Sequence, residues 1–193
     1  MKEGKNGVTS KTPENILFGA GTIHRNLKYT EDGGWNFSES IIGATSGGSK
    51  LSIVPEIYYP EVDGVTVKLR ELATKVGETA TMEINFIELT KEIILASTLG
   101  AMGASDDAAF DLIESKSDIV EDDFLDNIAF VGKTLKGKNI IAILENAMCT
   151  NGFEQEGKNK EGAIGKYTFE CHASIEDIEL DKLPWRIYYP KTA

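Results

Sequence analysis

The sequence predicts a mainly β domain: a two-sheet β-sandwich or a partly closed barrel, with one short flanking α-helix, a long inter-strand loop and extended terminal arms. Three observations carry this prediction. Several segments alternate apolar and polar residues at period two, the pattern of a strand with one buried face. The run at 140–144 is continuously apolar, as expected of a strand covered on both faces. Only one segment carries secure helix punctuation, with Thr90 ahead of "KEIILASTL" and Gly100 behind it. The 193 residues are 41% hydrophobic and 26% charged, enough for one substantial core. The predicted organisation is a flexible N-terminal arm over residues 1–14 and a single domain over 15–193.

In order along the chain, "ILFGAGTIHRNL" reads as a first strand whose glycines mark a bulge or close backbone approach, and "TEDGGWN" as a turn. In "KLSIVPEIYY", Leu51, Ile53, Ile57 and Tyr59 share one face, opposite Lys50, Ser52 and Glu56. Pro55 cannot donate to a ladder, so this strand belongs at an edge or a bulge. The segment "PEVDGVTVKLRELATKVGE" is long for a connection, and Asp63-Gly64 is a hairpin signal within it. Ala80, Met82, Ile84 and Phe86 alternate with Thr81, Glu83 and Asn85 in the next strand. "SDDAAFDLIES" fits a helix start or a strand equally well. In "KYTFECHASIE", Tyr167, Phe169, Cys171, Ala173 and Ile175 are expected to point inward.

The candidate chemistries are weak. "GATSGGSK" opens like a phosphate loop, but Lys50 falls one place late and the continuation alternates as a strand. A phosphate needs a helix N-terminus there, so a glycine-rich turn between strands is the better account. Cys149 and Cys171 are expected to be reduced structural thiols, with no zinc-type pairing. His172 is expected to face solvent or an interface, since it adjoins Cys171 on a strand; His24 lies far away in sequence. The acids Asp118, Glu121, Asp122, Asp123 and Asp126 lack the glycine of a calcium loop and read as a solvated turn anchored by Phe124 and Leu125. No G-x-S-x-G elbow is present. No enzyme activity, cofactor or metal is expected. Twenty cations against 31 acids give a net charge of −11, which argues against a dedicated nucleic-acid binder. No apolar run approaches the roughly 20 residues of a membrane span, and the polar N-terminus has no signal-peptide character. The expectation is a soluble protein made in a cytoplasm.

Several segments together resemble a known family. "IIGATSGGSKLSIVPEIYYPEVDG", "EINFIELTKEIILASTLGA", "FLDNIAFVGKTLKGKNIIAILENAM" and "FECHASIEDIELDKLPWRIYYP" are similar, in this order, to major tail tube proteins of long-tailed (siphovirus-type) phages of Gram-positive bacteria. Gly43, Ala44, Thr45, Gly47, Gly48, Val62, Asp63 and Gly64 carry the most specific part of the match, and the likeness spans residues 15–190. The resemblance implies a β-sandwich protomer that forms hexameric rings, stacked into a hollow tube through which double-stranded DNA passes without specific binding. It makes residues 60–78, with Pro60, Val62, Asp63, Gly64, Lys68 and Arg70, the loop that docks onto the next ring. It implies partners beyond the chain itself (a tape measure protein, a tail terminator and a distal tail protein), a place in the virion and no membrane. Glu83, Glu170 and Glu176 are candidate lumen acids that would repel phosphates. Two other readings stay open. One is a soluble β-sandwich module for protein or glycan binding, with Trp35 and Trp185 as candidate contacts; the other is a small hydrolase using clustered acids.

Overall fold

In the computed structural model, which describes residues 6–157 and 159–191, strand accounts for 43% and helix for 14%, so the chain is mainly β. The helix α1 (Thr12–Asn15) precedes β1 (Leu17–Arg25), and a small hairpin, β2 (Tyr29–Thr30) and β3 (Gly34–Trp35), leads to α2 (Phe37–Ser40). Two long strands follow, β4 (Thr45–Tyr58) and β5 (Thr74–Phe86), then α3 (Lys91–Thr98) and a second small hairpin, β6 (Ala101–Gly103) with β7 (Leu112–Glu114). The remaining elements are β8 (Leu125–Thr134), β9 (Asn139–Cys149), β10 (Gly165–Cys171), α4 (Ile175–Glu179) and β11 (Trp185–Tyr188).

Seven strands form one antiparallel sheet in the order β1-β8-β9-β10-β5-β4, with β11 also on β9. Its outer strands come together, because Ile42 N–H donates to the Ile23 carbonyl at 3.2 Å and His24 bridges Ile41. Where a sandwich has two separately hydrogen-bonded sheets, this chain curls one sheet toward closure. The main core fills the curl with Ile23, Met82, Ile84, Phe86, Ile128, Leu144, Tyr167 and Phe169, and α3 contributes Ile93. A second cluster of Leu27, Ala129, Val131, Ile141 and Ile143 lies beneath Trp35 and Phe37. Strands β8 and β9 are therefore buried on both faces, as the apolar run at 140–144 predicts. In β9 the residue Asn146 has φ 47°, which Asn tolerates better than most, and the core-facing residues change there from Leu144 to Ala147 and Cys149.

The expected bulge in β1 is present: its register on β8 shifts between Phe18 and Thr22. The turn at "TEDGGWN" joins β2 to β3, and Pro55 lies on the edge strand β4. Thr90 Oγ1 caps α3 by accepting from Ile93 N at 3.3 Å. The left-handed residue after it is Leu99 (φ 51°) rather than Gly100; Gly100 is needed for space, since a Cβ there would lie 2.9 Å from the Glu114 carbonyl oxygen. "SDDAAFDLIES" resolves into a bend followed by β7.

Three expectations are corrected. Strand β10 ends at Cys171, and Ser174 with Asp177 forms a capping box that starts α4. Ala173 and Ile175 are consequently exposed rather than inward, Ile175 at 86%, and Glu176 sits on a helix rather than on an alternating strand. The glycines of "GATSGGSK" form no turn between strands. Gly47 (φ 82°) and Gly48 (φ 83°) lie inside β4, where the register on β5 shifts between Thr45 and Ser49. Asp123 is not solvated: it is buried, pairs with Lys116 at 2.5 Å, and accepts from Val120 N at 2.8 Å.

Residues 1–5 of the expected N-terminal arm lie outside the described residues. The rest of the arm ends in α1, whose last residue, Asn15, accepts a hydrogen bond from the Tyr189 hydroxyl at 2.7 Å.

Candidate functional site

Most of the expected functional residues fall on or at the base of one feature, the long hairpin of β4 and β5, whereas Glu170 lies on β10 and Glu176 on α4. The two strands pair from Thr45 with Phe86 to Tyr58 with Thr74, so the hydrogen-bonded ladder extends well into the segment expected to be loop. Only residues 59–73 connect the strands, and Arg70–Leu72 is a turn of 3-10 helix within them. At the tip, Val65 N donates to the Val62 carbonyl at 3.1 Å, with Gly64 at φ 81°; the Asp63-Gly64 signal therefore marks a turn. Lys68 places its ammonium 4.7 Å from the centre of the Tyr59 ring, and Arg70 pairs with Glu71 at 2.8 Å.

Residues 54–79 contain no buried residue. Val54, Ile57, Tyr58, Val62, Val67 and Val76 are all exposed, Val67 at 70%. A two-stranded hairpin without a hydrophobic face is at best marginally stable in water. This arm is apolar, yet among the described residues nothing buries its side chains. Its root is fastened instead. Glu78 accepts from Trp185 Nε1 and from Lys75 Nζ, each at 2.8 Å, and these hydrogen bonds, Lys75 first, hold its carboxyl below the usual carboxylate range. Past the point where β1 approaches its start, β4 has no strand paired on the side away from β5 among the described residues, and open edges template pairing with other chains.

At the base of the hairpin, the glycine motif serves packing. A Cβ on Gly43 would lie 3.0 Å from Ile93 Cδ1, so a larger residue there would press on the side chain by which α3 packs. Ala44 N donates to Glu88 Oε2 at 2.9 Å, and the Gly48 carbonyl accepts from Asn85 Nδ2 at 3.1 Å. Thr45, Gly47 and Gly48 thus set the bend from which the arm departs.

The three candidate acids are not equivalent. Glu83 and Glu170 share the outward face of β5 and β10, being opposite Thr168 and Thr81. Glu83 pairs with Lys50 at 2.7 Å, which offsets its charge, and Glu176 stands apart on α4. Both tryptophans pack: Trp35 stacks on Phe37 and meets Tyr188 edge-on, and Trp185 holds Glu78. Burial pushes the Cys171 thiol up to about 12 and raises that of Cys149, so both free cysteines are inert core residues.

Sequence reasoning passed over a buried polar chain. His24 Nδ1 lies 2.8 Å from Ser40 Oγ, and Ser40 gives its own proton to the Asn36 carbonyl. Nδ1 must therefore be the donor, and Nε2 accepts from the Thr22 hydroxyl at 2.7 Å. His24 is thereby tied to the place where the sheet edges meet. His172 is half-buried against Phe124, with its Nδ1 3.0 Å from the Glu170 carbonyl. Strand β8 was also missed, although the continuous run of Ile128, Ala129, Phe130 and Val131 signals a strand covered on both faces. Asn127 joins that strand to Leu27 through both of its amide atoms.

Among the described residues, no helix is long and apolar enough to cross a membrane. No protein-family model matches the chain, and no curated protein matches it.

Proposed function

We propose that this chain is a self-assembling structural subunit, the major tail tube protein of a siphovirus-type phage tail, whose hexameric rings stack into a hollow tube for genome passage. The observation that carries the self-assembly is the arm of residues 54–79: it is ordered as a β-hairpin, leaves its apolar side chains exposed, and has no residue buried by the rest of the described chain. A neighbouring copy supplies that cover, and the open edge of β4 gives the neighbour's strands a place to pair. The tail-tube identity rests on the resemblance of residues 15–190 and on the mainly β fold. In this reading, tape measure, terminator and distal tail proteins bind the ends of the tube. Glu170, whose charge has no described ion-pair partner, is a better lumen acid than the Lys50-paired Glu83.

Negative-stain microscopy of concentrated protein tests the reading directly, with six-fold rings or tubes as the expected outcome. Featureless small particles at every concentration would instead favour a binding module. Deleting residues 62–76 should leave a folded subunit that makes no tubes; tubes of normal length from that deletion would remove the arm from the mechanism.

A further inference from the structure

The two ends of β8 differ in charge. Between residues 105 and 126 the chain carries nine acidic residues and one lysine, and this stretch runs directly into the start of β8. Between residues 127 and 144 it carries Lys133, Lys136 and Lys138 and no acid. These lysines lie at the far end of β8 and in its turn to β9. Ten residues of strand separate the two ends by about 33 Å.

Each end also exposes apolar side chains. The acidic end presents Phe110, 71% exposed, after Asp106 and Asp107, which have no ion pair among the described residues, and before Asp111, which Lys91 holds at 2.7 Å; Ile119 and Val120 are exposed further along the same stretch. The basic end presents Leu135 and, through the pairing of β1 with β8, Leu17 and Phe18. Beside Phe18 a groove of about 460 Å³ opens between β1, β8 and α2, lined by Phe37, Ile41, Val131 and Lys133. Lys133 and Lys136 are exposed and have no ion-pair partner among the described residues.

We infer that this groove is a docking site for a second copy of the chain, whose Phe110 seats between Phe18, Phe37 and Ile41 while its Asp106 and Asp107 face Lys133 and Lys136. The charges select the occupant: an apolar groove rimmed by lysines matches an aromatic side chain set among aspartates, and this chain carries both. An aromatic anchor in a desolvated pocket supplies affinity, and the surrounding charges supply orientation and rate. Because the two surfaces are different and lie at opposite ends of one strand, the contact is head-to-tail. It therefore propagates along a filament or closes a ring and does not stop at a dimer. This deepens the self-assembly reading and rests on it only in taking the partner to be another copy.

Two variants test the contact. Asp106→Lys with Phe110→Ala disables the acidic end and leaves the groove; Lys133→Glu with Lys136→Glu does the reverse. All four positions are exposed, so both variants should keep the wild-type circular dichroism spectrum and thermal midpoint. Sedimentation velocity at low salt should show each variant alone associating at least about tenfold more weakly than wild type. The two mixed should form a capped one-to-one pair through the one intact surface of each, and this pair should weaken as salt is raised. Variants that assemble as wild type does, or a mixture that stays monomeric, would overturn the inference. Normal tubes from both variants would sink this contact and leave the tail-tube reading standing, whereas the capped pair without rings or tubes from wild type would do the opposite.

Discussion

Strand β5 passes through two environments in thirteen residues. In its second half Ala80, Met82, Ile84 and Phe86 are at most 1% exposed, and β10 flanks it opposite β4. In its first half, residues 74–79, nothing is buried and only β4 is paired with it. The ladder with β4 runs along both halves, interrupted by register shifts at each end, so that ladder does not by itself distinguish them. Backbone hydrogen bonds contribute little net stability when water is the alternative partner, whereas burying a large apolar side chain contributes about 1.5–3 kcal/mol. The second half is held by the core of its own subunit, and the first has no buried residue.

The comparison breaks or sharpens under substitution. The largest effect is expected from Ile84→Ala, a cavity in the main core, at about 2–5 kcal/mol of subunit stability by chemical denaturation. A cost below about 1 kcal/mol would mean that the curl is loosely packed. Next comes Gly21→Ala in the bulge of β1. Its φ is 70°, and the added Cβ would lie 2.8 Å from the Val131 carbonyl oxygen, so about 2 kcal/mol is expected in the same measurement.

A smaller effect comes from pH. Burial holds the pKa of His24 below its ordinary 6.5. The unfolded chain therefore takes up this proton first as pH falls. His24's contribution is intact above about 7, is lost as pH drops from about 6.5 toward the folded value, and levels off below it. Denaturation midpoints at pH 7.5 and pH 5 should differ more for wild type than for His24→Gln; equal differences would take His24 out of the pH dependence.

The smallest effect on the subunit is expected from Val76→Ala, in the arm half of β5, at within about 0.5 kcal/mol. The same change should nonetheless reduce tube formation. Amide hydrogen exchange extends the contrast: residues 54–79 should exchange rapidly in the isolated subunit and become protected on assembly. Strong protection in a verified monomer would show that the arm needs no neighbour.

Much of the fold is legible in the sequence because its signals are local. Period-two alternation located the inward residues of β5 and β10, Thr90 announced α3, Pro55 marked an edge, and Asp63-Gly64 marked the tip of the arm. Failures arose where one residue pattern serves two structures. "HASIE" continues the alternation of β10, but the Ser174–Asp177 capping box competes with the ladder and wins once β10 has no partner beyond Cys171. Gly47 and Gly48 are permissive of turns and bulges alike, and only the pairing of β4 with β5 selects the bulge.

The sequence by itself determined the β class, the helix and its cap, the turns, and which side chains are apolar on which face, since each depends on residues within a few positions. It also determined the opposed charges of residues 105–126 and 127–144. Tertiary structure alone decided that seven strands make one curled sheet whose edges meet at Ile23 and Ile42, and that those opposed charges stand at opposite ends of β8. It also decided that the apolar residues of the arm remain uncovered. Burial is a relation between segments distant in the chain, so alternation can say which face of a strand is apolar but not whether anything arrives to cover it.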